Sequence, residues 1–140
     1  MKQYWLAVPI ILAGLIFALP ARAQTMSFAD AAEVLVAACG ADIDKYCKNV
    51  NLGGGKIKAC LERNSAKVAA GCKSSAAQAF ASLQRRAQAR IDVLRVCDRD
   101  AARLCQGVQR GDGQILECMI MARRAVSPPC NQAITDAGYR

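Results

Sequence analysis

Cysteine is the side chain most able to do chemistry in this sequence, and it occurs eight times. Cys39, Cys47, Cys60 and Cys72 are separated by seven, twelve and eleven residues. Cys97, Cys105, Cys118 and Cys130 repeat the same three gaps at an offset of 58 residues. A dithiol oxidoreductase needs Cys-x-x-Cys, where a helix N-terminus lowers the pKa of one thiol, and no such pair occurs. Structural zinc prefers close cysteine pairs, and a gap of seven is too wide for that pattern. Covalent haem attachment needs a histidine after Cys-x-x-Cys, and the sequence has none. The missing histidine also removes the commonest general base and metal ligand.

The other polar residues do not assemble a catalytic set. Asp42 and Asp44, like Asp98 and Asp100, are two apart and point to different sides of a helix. Asp42 and Asp100 are matched by the repeat. Their expected role is to accept a hydrogen bond, or to pair with Lys45 or Arg103, beside the cysteines. Gly53-Gly54-Gly55 and Gly111-Asp112-Gly113 lack the strand-glycine-helix frame and the Lys-Ser/Thr ending of a phosphate loop. They read as turns that need positive φ or close backbone approach. Arg85, Arg95, Arg99 and Arg103 fall on one helical side, away from Leu83, Ala87, Leu94 and Ala101. They are candidate contacts for an anionic surface, as well as ordinary solvated charges. Beyond residue 23 the aromatics are Phe28, Tyr46, Phe80 and Tyr139, too sparse to stack bases, so no nucleic acid is expected.

The elements that must hold the cysteines follow from the repeat. Val50 with Val108, Gly53 with Gly111, Gly55 with Gly113 and Ile57 with Ile115 match at the same offset. Ser27-Phe28-Ala29-Asp30 has the form of a capping box. Behind it, Phe28, Ala32, Leu35, Cys39, Ile43 and Tyr46 make a helical apolar stripe. The glycine-rich stretch at 49–55 breaks it. A second helix carries Ile57, Cys60, Leu61 and Val68, with Gly71 placed to end it. In the second unit, Ser127-Pro128-Pro129 is expected to stop the last helix. Each unit then reads as two antiparallel helices. Four cysteines allow three pairings. Folding a hairpin about residues 53–54 favours the nested one, Cys47–Cys60 inside and Cys39–Cys72 outside, and likewise Cys105–Cys118 and Cys97–Cys130. The outer partners stay level only if Cys72 sits past a helix end. A 35-residue hairpin cannot bury enough apolar surface to offset its chain entropy, and each bridge supplies about 3 kcal/mol.

Residues 73–96 connect the units without glycine or proline. Phe80, Ala87, Leu94 and Ala101 recur every seven residues, as do Leu83, Arg90, Cys97 and Leu104. One long helix is predicted from about Ser75 to Cys105, with a bend near Cys97 as the alternative. The expected fold is all-α: two disulfide-stapled antiparallel helical hairpins joined by a long helix, four helices running up and down.

Lys2, the apolar run Trp5 to Leu19, and Ala21-Arg22-Ala23 have the form of a signal peptide, with cleavage expected after Ala23. The apolar run is shorter than the roughly 20 residues a span needs, and no later run could span. The predicted divisions are 1–23, signal peptide; 24–72, first repeat with its leading helix; 73–96, connecting helix; and 97–140, second repeat with a tail. Removal of Lys2 and Arg22 lowers the formal charge from +8 to +6, still basic. An even cysteine count in a short exported chain implies disulfides in an oxidising compartment, periplasmic or secreted.

Cys39, Asp42-Ile43-Asp44-Lys45-Tyr46-Cys47, and Gly53-Gly54-Gly55-Lys56-Ile57 followed by Cys60-Leu61 resemble the cysteine-rich Golgi glycoprotein repeat. That repeat is named for an animal secretory-pathway protein that binds fibroblast growth factors and carries selectin ligands. Residues 97–130 follow it by spacing, with Ala101-Ala102-Arg103-Leu104 in place of Ile-Asp-Lys-Tyr. The resemblance implies a helical, disulfide-bonded repeat in an exported protein and makes the eight cysteines structural. It does not transfer growth-factor or selectin binding, and the short two-unit chain is more similar to the small exported bacterial members. The expected function is a non-enzymatic interaction module for a protein or an anionic envelope component, without cofactor or metal. The competing class is a metal-binding protein that uses reduced thiols.

Overall fold

The computed structural model describes residues 25–51 and 53–140. The expected signal peptide lies outside the described residues. Six α-helices and no strand occur among them: α1 Phe28–Tyr46, α2 Lys56–Arg63, α3 Ala70–Val96, α4 Asp98–Leu104, α5 Gln114–Met121 and α6 Pro128–Asp136.

α1 begins at the capping box. Ser27 Oγ accepts from the Asp30 N–H at 3.0 Å, and Asp30 Oδ2 accepts from the Ser27 N–H at 3.1 Å. Its stripe is rotated from the expected one. Ala31, Leu35, Cys39, Ile43 and Tyr46 face inward, while Phe28 and Ala32 are exposed. The inward set keeps helical spacing. Phe28 sits in the first turn, at the margin of the contact with α3.

Each unit has three helices, not two. α2 ends at Arg63, where the side chain and backbone N–H of Asn64 both bond to the Cys60 carbonyl. The chain turns through 64–69, and α3 starts at Ala70 with Gly71 and Cys72 in its first turn. Gly71 therefore does not end a helix. Likewise Pro128 and Pro129 open α6. The N–H groups of a first turn have no intrahelical partner, so proline is tolerated there and its fixed φ suits the helix.

α3 has 27 residues, about 40 Å of helix, and serves both units. Its N-terminal half packs against α1 as the third helix of unit one. Its C-terminal half packs against α6 and is the counterpart, 58 residues on, of α1. The predicted single helix to Cys105 is interrupted only at Cys97. The ladder persists there: the Cys97 N–H bonds to the Val93 carbonyl at 3.0 Å, and the Ala101 N–H to the Cys97 carbonyl at 2.9 Å. Asp98 and Asp100 occupy the first turn of α4, where acidic groups favour a helix start.

The heptad reading of α3 needs correction. Ala87 and Leu94 are exposed, and the buried side chains are Cys72, Ala76, Ala79, Ser82 and Val93. Small residues let α1 approach closely, and the contact face is fixed by two different partners rather than by one seam. Two apolar cores result, one at each end of α3. The first gathers Cys39, Ile57, Leu61, Val68 and Ala76. The second gathers Val93, Ala101, Met119, Val126 and Ile134.

Candidate functional site

The structure bonds Cys39 to Cys72, Cys47 to Cys60, Cys97 to Cys130 and Cys105 to Cys118, the nested pairs. The outer bridges have Cα–Cα distances of 4.7 and 4.9 Å, and both inner bridges 6.1 Å. All lie within the normal span of a disulfide. The outer partners are level because the fourth cysteine of each unit sits in a separate third helix. No cysteine is free. Thiolate chemistry and thiolate ligation have no donor in this state. Among the described residues no group of three His, Cys, Asp or Glu is arranged to hold a metal ion.

The matched aspartates lie one helical turn beyond the first cysteine of each unit. Asp42 Oδ2 accepts from the Ala69 N–H, and Asp100 Oδ2 from the Ser127 N–H, both at 3.1 Å. Ala69 and Ser127 are the N-cap residues of α3 and α6, the helices that carry Cys72 and Cys130. Each unit thus fixes the start of its third helix twice, once by a disulfide and once by a carboxylate from the same face of its first helix. Asp100 is buried and has further partners. Its Oδ2 accepts the Ser127 hydroxyl at 2.5 Å, and its Oδ1 accepts the Arg103 guanidinium at 2.8 Å. These bonds, the serine's first and the arginine's second, hold its carboxyl below the usual carboxylate range. Lys45, Arg103's counterpart, lies over the Tyr46 ring instead.

The other matched residues build the turns and the core. Gly55 and Gly113 precede α2 and α5 with φ of 72° and 79°, in the left-handed region that disfavours a Cβ. The Gly53 and Gly111 carbonyls accept from the Lys56 and Gln114 N–H groups. Val50 and Val108 turn back on the inner cysteines, their N–H groups bonded to the Cys47 and Cys105 carbonyls, and pack on the two cores. Ile57 and Ile115 lie in or against those cores. Each of these matched positions therefore has a structural task.

The candidate arginines all face solvent. Arg95 pairs with Asp92 at 3.0 Å, and Gln88 also binds that carboxylate. The Gln88 and Arg95 bonds lower the Asp92 pKa. Arg103 is held by Asp100 and by the Ala125 carbonyl, each at 2.8 Å. Arg85 and Arg99 have no ion-pair partner among the described residues. Their counterparts in unit one are Ser27 and Ala41, so these two charges are not part of what the units share.

Sequence reasoning missed Arg86 and Arg90. Arg86 donates to the Thr25 and Gly138 carbonyls at 3.3 and 3.2 Å, and Arg90 to the Ala137 carbonyl at 2.9 Å. Thr25 Oγ1 donates to the Asp136 carbonyl at 2.5 Å, and Ser82 Oγ accepts the Met26 N–H at 2.7 Å. The segment before α1 and the end of α6 are thereby joined on the middle of α3. A cation at a helix C-terminus is favourable, because the last carbonyls are unpaired. The signal was present: Arg86 and Arg90 share a helical face with Ala79, Val93 and Cys97.

The family described as cysteine rich repeat matches residues 24–69, from before α1 to the N-cap of α3. No curated protein and no solved structure matches the chain. No described helix is long and apolar enough to cross a membrane.

Proposed function

We propose that this chain, which the cysteine rich repeat family matches over residues 24–69, is a non-enzymatic, exported interaction module. Its disulfides suit an oxidising compartment. Its two clamped units serve as a rigid mount for the basic face of α3 and α4, which grips an anionic envelope component or an acidic protein surface. The observation that carries this reading is the division of labour between shared and unshared residues. The shared cysteines, aspartates, glycines, valines and isoleucines hold disulfides, helix starts, turns and core. Arg85 and Arg99, which are not shared, point outward without an acidic partner among the described residues.

The test is a crosslinking pull-down from the native envelope, alongside binding to phosphatidylglycerol vesicles, with the wild type and with Arg85→Gln/Arg99→Gln. Exposed cations near an anionic surface contribute about 1 kcal/mol each, so the double variant binds about thirtyfold more weakly. Equal capture of both proteins, unaffected by salt, overturns the reading.

A further inference from the structure

α3 carries a second exposed face beside the basic one. Ala77, Phe80, Gln84, Ala87, Ile91 and Leu94 follow one another at alternating steps of three and four, the seam of a two-helix coil. None is fully buried within the chain, and Ile91 and Leu94 are 74% and 57% exposed. Single exposed aliphatics are ordinary. Here they are large, adjacent along the seam, and confined to one end of it. At the other end the same seam opens into a groove of about 310 Å³ between α2 and α3, whose apolar wall includes Leu61, Val68, Ala77 and Phe80. Knob and groove lie on one helix face, some 15 residues or about 22 Å apart.

A two-fold operation that sets α3 antiparallel to itself places each copy's knob in the other's groove. The register follows from matching one seam to the other. Leu94 faces the partner's Ala77, Ile91 the partner's Phe80, and Ala87 the partner's Gln84. Extended by one step, the same register brings Asp98, which its own chain pairs with Arg110 at 3.6 Å, opposite the partner's Lys73. Both are exposed. Lys73 lines the α2–α3 groove, and Asp98 lies beside Leu94 at a second depression formed with Ile115 and Leu116. Opposite charges thus close both ends of an apolar seam. On the flank Gln88 faces the partner's Ala81 and Arg95 the partner's Ser74, so no like charges meet there, and at each end Arg110 and the partner's Lys73 share the Asp98 carboxylate. We propose that the chain forms a two-fold symmetric dimer through α3 in this register, with a Lys73–Asp98 ion pair at each end.

Sedimentation equilibrium of the full disulfide-bonded protein tests this. The wild type dimerises with rising concentration, and Leu94→Lys stays monomeric while keeping its helical circular dichroism. Lys73→Asp alone weakens association, and so does Asp98→Lys alone. The double variant Lys73→Asp/Asp98→Lys, made together with Arg110→Gln so that the new lysine meets no cation of its own chain, restores it, because the swapped charges meet again across the axis. A wild type that remains monomeric to millimolar concentration overturns the proposal. So does a dimer indifferent to Leu94→Lys, or a charge swap that fails to rescue. A monomer whose Ile91–Leu94 face is covered only by a different envelope protein gives the face to that partner and also overturns it.

Discussion

Asp100 carries the clearest residue-scale consequence. Its side chain is 8% exposed and accepts from Arg103, the Ser127 hydroxyl and the Ser127 N–H. Its folded pKa is depressed below the unfolded value of about 3.9. The stability from this group is therefore present above about pH 4 and is lost as pH falls through the folded pKa. Asp100→Asn should cost about 1–3 kcal/mol in urea unfolding at pH 7. The difference from wild type should shrink as the pH is taken well below 4. A difference that stays constant over that range would show that the charge of Asp100 does not matter. The role of this aspartate was readable from sequence in kind, as an acceptor near the cysteines pairing with Arg103. Its partner Ser127 was not. That bond spans 27 residues and exists only because α6 starts beside α4.

At the scale of elements, the cysteine register, the capping box and the turn glycines were legible, because each is a local rule acting over a few residues. The beginnings of α3 and α6 were not. Gly71 and the Pro128–Pro129 pair are punctuation that can close one helix or open the next, and only the carboxylate from the preceding helix decides which. The two readings differ in a measurable way. If Gly71 ended a helix in the left-handed region, Gly71→Ala would destabilise. Within the first turn of α3, with nothing within 4 Å of an added Cβ and no positive φ, the same change should be neutral or stabilise by up to about 1 kcal/mol. Gly113→Ala, at φ 79°, should instead cost about 1–2 kcal/mol. Thermal unfolding of the two variants in parallel separates these outcomes. The heptad spacing in α3 does not mark its inward face, for a related reason. A single heptad assumes one partner, whereas Ala76, Ala79 and Ser82 answer to the first half of the fold and Val93 and Cys97 to the second.

At the scale of the whole molecule, two disulfide cores share one helix, and their free edges meet at Arg86. Gly138 is tied to this joint. It has φ 76°, its N–H and that of Tyr139 bond back to the Thr135 and Ile134 carbonyls, and a Cβ there would lie 1.8 Å from Arg86. Arg86→Ala should accelerate amide exchange at Met26 and Tyr139 together, while amides around Cys39 and Cys72 keep their protection. Faster exchange at only one of the two ends would mean that Arg86 does not couple them.

Gly138 has a further meaning when set beside its counterpart 58 residues earlier, Phe80. At Phe80 the third helix of one unit continues and becomes the first helix of the next. At Gly138 the equivalent helix is closed by a glycine in the left-handed region. The geometry is that of a chain link, in which elongation or termination hangs on whether one residue lets a helix run on. With a helix former at that position and room made for Arg86, α6 would have the means to extend as α3 does.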